Sequence, residues 1–135
     1  MFVWDSSIAR MSKADTKFQL IALDIDGTIR DETGKVTTFM KEVLSECQNR
    51  GAVLVAATGR TRISAMNYLL ELPMIELLVS FQGSLITRCK TDDSLWSTYM
   101  CSDQINRALD YLEEKEIEKV AYSGDQVYVE KMTDW

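Results

Sequence analysis

The apolar run Leu20 to Leu23 leads straight into Asp24-Ile25-Asp26-Gly27-Thr28, so hydrophobic positions give way at once to two carboxylates, a glycine and a hydroxyl. A short apolar run that ends in polar residues predicts a strand with its functional groups at the carboxyl end. Arg30 to Lys35 is polar and contains Gly34, which suits a short flap or hairpin beside that strand end. Met40, Val43, Leu44 and Cys47 then recur at helical spacing, with Thr37 or Thr38 as the cap and Gly51 as the stop. Ala52 to Ala57 is apolar throughout, as in a strand buried on both faces, and ends in Thr58-Gly59-Arg60. Ile63, Met66, Leu69 and Leu70 mark a second amphipathic helix that stops near Pro73. Glu76 to Ser80 gives a third strand, followed by Phe81-Gln82-Gly83-Ser84.

Strand, helix, strand, helix, strand predicts a Rossmann-like parallel sheet of the α/β class. Right-handed crossovers place the three strand ends on one edge, where Asp24, Thr58 and Gln82 converge although they are distant in sequence. Beyond Ser84 the rhythm changes. Leu85 to Lys90 and Leu95 to Met100 flank Thr91-Asp92-Asp93-Ser94 and predict an antiparallel hairpin. Ser102 caps an expected helix with apolar positions Ile105, Ala108, Leu109 and Leu112. Lys119 to Tyr122 and Gln126 to Glu130 then predict two strands around Ser123-Gly124-Asp125. The expected organisation is an amino-terminal extension over residues 1–17, a parallel α/β core over 18–87, and an α+β region over 88–135.

Composition narrows the chemistry. With 135 residues, 46% of them hydrophobic and 27% charged, the chain has material for one core. A net charge of −6 argues against nucleic acid and against anionic membrane surfaces as partners. No apolar run reaches the roughly 18 residues of a membrane-spanning helix, and the amino terminus lacks a charged-then-apolar pattern, so a cytoplasmic location is expected. Cys47, Cys89 and Cys101 lack metal-ligand spacing and are expected to be reduced and mostly buried. The chain has no histidine, which excludes serine-histidine and cysteine-histidine nucleophile pairs.

What remains is carboxylate chemistry at the first strand end. Asp24 at the strand tip suits a nucleophile toward a phosphate monoester, because attack by a carboxylate divides hydrolysis into forming and breaking an acyl phosphate. Asp26 beside it suits a general acid that protonates the leaving oxygen and then a base toward water. Two acids near an anionic substrate call for a divalent cation, and Mg2+ prefers such hard oxygen ligands, with Asp24 and Asp26 as the metal-site residues. Gly27 and Thr28 in the first loop, with the Thr58 hydroxyl and the Gly59 amide in the second, are candidate phosphate binders. Taken alone, Thr58 could equally be the cap of the following helix. Arg60 could bind substrate anion or pair with a surface acid, and Gln82-Gly83 are further candidate substrate contacts.

Asp24-Ile25-Asp26-Gly27-Thr28 and Ala57-Thr58-Gly59-Arg60 resemble the first and second motifs of the haloacid-dehalogenase-like hydrolases, especially the Cof-type (subclass IIB) phosphatases. The resemblance continues through the third strand and into residues 84 to 130. It implies that Asp24 is the phosphorylated nucleophile and a magnesium ligand. It implies further that Asp26 is the general acid/base and binds magnesium through its backbone carbonyl, and that Thr58 holds the transferring phosphoryl group. An α/β cap inserted after the third strand would match the change of rhythm near residue 87. The implied substrate is a small phosphorylated metabolite such as a sugar phosphate.

Three departures accompany the resemblance. The family's later lysine and its acidic Gly-Asp loop normally follow the cap, and neither is found here. Gly124-Asp125 is followed by Gln-Val-Tyr-Val and reads as a hairpin turn, while Lys115, Lys119 and Lys131 lie in the cap-like region and are expected to be solvated. Gln82 stands where the family usually carries asparagine. The chain is therefore expected to be a truncated form with an open edge on its first strand, which a second copy or a missing carboxyl-terminal half would cover. Two alternatives to a phosphatase are a catalytically incomplete binding or regulatory domain and a response-regulator-like phosphoacceptor. The Asp-x-Asp-Gly-Thr spacing speaks against the latter.

Overall fold

The computed structural model describes residues 18–130, so the expected amino-terminal extension and Lys131 lie outside the described residues. Two compact units divide the chain, the first running to Trp96 and the second starting at Ser97.

In the first unit the order is β1 (Leu20–Leu23), α1 (Thr38–Asn49), β2 (Val53–Ala57), α2 (Arg62–Leu69), β3 (Ile75–Ser80), β4 (Leu85–Arg88) and β5 (Ser94–Ser97). The strands form one sheet in sequence order. Parallel pairing aligns Leu23 with Ala56 and Ala57 with Val79, so the chain leaves β1, β2 and β3 at the same edge, as the sequence predicts.

Local chemistry sets the helix bounds. The Thr37 hydroxyl accepts from the Met40 amide at 3.1 Å and starts α1, while Gly51, at φ +94°, takes the left-handed conformation that ends it. The Thr61 hydroxyl accepts from the Ser64 amide at 3.3 Å and starts α2. Thr61, not Thr58, is therefore the cap of the second helix, and the capping explanation for Thr58 falls away.

α1 packs on β2 and α2 on β3. The core between them comprises Leu44, Leu54, Ala56, Ala65, Leu69, Leu72, Ile75 and Leu78, joined by Ile25 and Ile29 from the loop after β1. Removing side chains the size of Leu54 or Leu78 from water stabilises the fold by about 2 kcal/mol each. β2, between two parallel neighbours, has Leu54, Val55 and Ala56 buried, whereas Leu20 on the edge strand β1 remains 56% exposed.

The sheet continues past the boundary expected at residue 87. β4 turns back antiparallel to β3, with Leu78 opposite Thr87 and Ser80 opposite Leu85. A tight 3₁₀ turn, Phe81–Gly83, makes this reversal possible, with Phe81 and Gln82 at φ +51° and +56° and Gly83 at +96°. The hairpin expected after Ser84 thus adds two strands to the first unit's sheet.

The second unit contains α3 (Ser102–Glu114) and an antiparallel pair, β6 (Val120–Ser123) and β7 (Gln126–Val129). Ser102 is the first helical residue, and Cys101 occupies the cap position, its amide donating to Gln104 Oε1 at 2.9 Å. Cys101 is exposed, contrary to the expectation for the cysteines, while Cys47 and Cys89 are half-buried. Gly124, at φ +57°, turns β6 into β7, as the hairpin reading expects. Lys119 is more enclosed than expected, with 16% side-chain exposure, and pairs with Glu130 at 3.5 Å. No helix among the described residues is long and apolar enough to cross a membrane.

Candidate active site

The loop after β1 is pinned by its apolar residues. Ile25 and Ile29 are 0% and 1% exposed, and amide bonds from Ile29 to the Asp24 carbonyl (3.1 Å) and from Arg30 to the Ile25 carbonyl (2.9 Å) close the turn. With Ile25 drawn into the core, its neighbours Asp24 and Asp26 are left exposed at the strand end. Gly27 adopts φ +74°, a conformation in which a β-carbon would be strained, and Thr28 is exposed. The Asp24 carboxylate accepts from the Ile25 amide at 2.7 Å through Oδ1.

The second loop sits beside the first because of the strand register. Thr58 is buried, its amide donates to the Val79 carbonyl at 2.9 Å, and its hydroxyl accepts from the Arg60 amide at 3.2 Å. The third loop closes over the second. The Phe81 amide donates to the Arg60 carbonyl at 2.9 Å, and Gln82 Nε2 lies 2.3 Å from where a β-carbon on Gly59 would be. Gln82 thus lies against Gly59, and Gly83 is exposed beside it.

Arg60 crosses from the second loop to the first. Its Nε and Nη2 donate to Asp26 Oδ2 and Oδ1 at 2.6 and 2.9 Å, a bidentate pair, and its Nη1 donates to Ser64 Oγ at 3.0 Å. A second guanidinium reaches the same carboxylate, Arg30 Nη1 donating to Asp26 Oδ1 at 3.2 Å. The Arg60 hydrogen bond above all, with the positive charges of Arg60 and Arg30, holds the Asp26 carboxyl below the usual carboxylate range. Reciprocally, Asp26 raises Arg60. Both guanidiniums lie over the Tyr68 ring, at 3.8 Å for Arg30 and 4.9 Å for Arg60.

Asp24, Asp26, Thr58, Gly59, Arg60 and Gln82 all lie on loops at one sheet edge, and Arg60 has the site's own acid as its partner. Sequence reasoning passed over Arg30, Ser64 and Tyr68. Ser64 and Tyr68 are one helical turn apart on α2, so they share a face, and that spacing is the signal available in the sequence.

Asp24 and Asp26 offer hard oxygen donors suited to magnesium, which keeps several waters and is held by one or two carboxylates together with substrate phosphate. No cluster of three or more metal-binding side chains occurs among the described residues.

The site is thus an α/β sheet edge where three parallel strands end, with paired carboxylates beyond the first and Thr-Gly beyond the second. A family model described as haloacid dehalogenase-like hydrolase matches residues 21–135, and the chain belongs to that family. Among curated relatives, YxeH of Bacillus subtilis is 30% identical over 79 residues, covering 56% of this chain and 29% of its own length. The 5-amino-6-(5-phospho-D-ribitylamino)uracil phosphatase YitU of the same organism is 28% identical over 118 residues, covering 84% and 43%. The chain thus spans less than half the length of either relative. A haloacid dehalogenase-like hydrolase from B. subtilis shares the fold with a TM-score of 0.77 at 22% identity, over 86% of this chain and 40% of that one. The subclass IIB sugar phosphatase BT4131 does so with 0.69 at 18% identity, over 81% and 42%.

Proposed function

We propose that this chain carries the nucleophile half of a magnesium-dependent phosphomonoester hydrolase of the Cof type, acting on a small phosphorylated metabolite through an aspartyl phosphate. The observation that carries the reading is the burial of Ile25 and Ile29, which leaves Asp24 and Asp26 exposed beside Thr58 and Gly59. An Asp24 carboxylate oxygen bonds to phosphorus as the ester P–O bond breaks, and Asp26 in its protonated form gives its proton to the departing alcohol oxygen. Water then attacks phosphorus, Asp26 takes its proton, and the acyl phosphate opens to orthophosphate and free Asp24. The Thr58 hydroxyl and the Gly59 amide, with Gly27 and Thr28 in the first loop, receive phosphoryl oxygens. Arg60, Gln82 and Gly83 bound the side from which substrate approaches. Magnesium, held by Asp24 and the Asp26 backbone carbonyl, would supply charge neutralisation between carboxylate and phosphate. Phosphatase and sugar-phosphatase names among the relatives and structural neighbours support this substrate class.

A second reading, an anion-binding domain without turnover, is favoured by the two guanidiniums that already occupy Asp26. Turnover of para-nitrophenyl phosphate with and without Mg2+ separates the two. The catalytic reading expects slow, metal-dependent hydrolysis that Asp24→Asn abolishes, and the domain reading expects none.

A further inference from the structure

Asp26 is held more tightly than an acid/base that must exchange protons with substrate and water requires. Three N–H groups from two arginines converge on one carboxylate that is 48% exposed, while the arginines are the more enclosed partners, at 15% for Arg30 and 31% for Arg60. Each guanidinium is also fixed by contacts that do not involve Asp26. Arg30 Nε donates to the Gly34 carbonyl at 2.7 Å, Arg60 Nη1 donates to Ser64 Oγ, and Tyr68 lies under both. Gly34 is part of this support, since a β-carbon there would stand 2.5 Å from Arg30 Nη2. The pair of cations is therefore built into loop and helix, and the carboxylate is its movable, solvent-reached member.

We propose that Arg30 and Arg60, braced by Tyr68, form an anion-binding site for the substrate's phosphoryl group, and that the Asp26 carboxylate occupies this site until the substrate displaces it. This inference rests on the phosphomonoesterase reading and adds to it a place where the dianion first docks, before Thr58 and Gly59 receive its oxygens for transfer, and a reason for Asp26 to be released only then. Planar guanidiniums suit this task because each presents parallel N–H groups matched to the oxygens of phosphate or carboxylate. A phosphate dianion brings more oxygens and more charge than the single carboxylate it replaces. Once displaced, Asp26 is free to meet the leaving oxygen. Tyr68 is a positioning residue in this scheme, acting on the anion through the two guanidiniums it supports.

The test is titration of the full chain with orthophosphate in the absence of metal, read by calorimetry and by the Nε–H NMR signals of Arg30 and Arg60. Asp26→Asn removes the competing charge and is expected to tighten phosphate by about fivefold. Arg30→Ala is expected to weaken it by about as much, and Arg30→Lys, which keeps charge without the planar fork, to restore only part of the loss. In the wild type, added phosphate should shift the Arg60 Nε–H signal as its bond to Asp26 is exchanged. Unchanged phosphate affinity in Asp26→Asn, or in Arg30→Ala, overturns the inference, and so does a chain to which phosphate does not bind. If affinity is indifferent to both variants yet lost in Thr58→Ala, the docking site fails while the phosphatase reading stands. Tightening in Asp26→Asn without any phosphoryl transfer to Asp24 has the opposite meaning.

Discussion

Gly34 and Gly59 each lie against a long side chain, yet their replacement by alanine has different consequences. At Gly34 the backbone is at φ +78° and the new methyl group meets the guanidinium of Arg30, which is anchored on three sides. Gly34→Ala is expected to cost roughly 1 to 2 kcal/mol, visible as a lower melting midpoint. At Gly59 the obstacle is the exposed end of Gln82, which can swing into solvent, so Gly59→Ala should change stability by less than about 0.5 kcal/mol. A chain in which Gly59→Ala is the more damaging change would contradict this assignment. The cysteines give a pH-dependent counterpart. Burial, with a smaller contribution from Asp92, pushes the Cys89 thiol up to about 11, and burial raises Cys47 as well, whereas Cys101 is exposed. Native protein treated with a thiol reagent near pH 8 should therefore show one fast group, Cys101, and two slow ones. Because folding raises the Cys89 value, the stability linked to its proton is fully present below the unfolded thiol value and is lost as pH rises toward 11. Equal labelling rates for all three thiols would be incompatible with that picture.

The elements were largely legible because their signals are local. Thr37 and Gly51 bracket α1, and the apolar run ending at Ala57 marks β2, through capping and burial patterns that the sequence carries directly. The placement of β4 was not legible, because it depends on a reversal in which Phe81 and Gln82 adopt left-handed backbone angles that their identities do not suggest. The same limit applies to the site. Asp24, Asp26, Thr58, Gly59 and Arg60 stand out by spacing, whereas the convergence of Arg60 and Arg30 on Asp26 over Tyr68 is a tertiary arrangement that brings in two residues ordinary in sequence. β4 also carries a test. Thr87 is 2% exposed opposite Leu78, and its buried hydroxyl has no hydrogen-bond partner among the described residues. Thr87→Val keeps the shape and removes the unsatisfied group, so it should raise stability by roughly 1 kcal/mol in chemical denaturation. A comparable loss would mean that the hydroxyl has a partner in solution.

At the scale of the molecule, β1 is an edge strand of the sheet among the described residues, with Leu20 in it and Phe18 just before it 56% and 63% exposed. An apolar edge strand of this kind favours pairing with a further strand, whether from a second copy or from the part of the relatives' length that this chain does not span. The full chain is expected to self-associate with rising concentration in sedimentation experiments, and Leu20→Lys to shift it toward monomer. Monomeric behaviour of both proteins at high concentration would argue against the edge as a pairing surface. The proposed function turns on phosphoryl transfer to Asp24. It is tested most directly by incubating the chain with Mg2+ and a phosphomonoester, quenching with acid, and mapping phosphoryl groups by mass spectrometry. A phosphoryl group is expected on the peptide containing Asp24 and is expected to disappear in Asp24→Asn. Turnover with no phosphoryl-Asp24, or phosphoryl transfer that persists in Asp24→Asn, would contradict it.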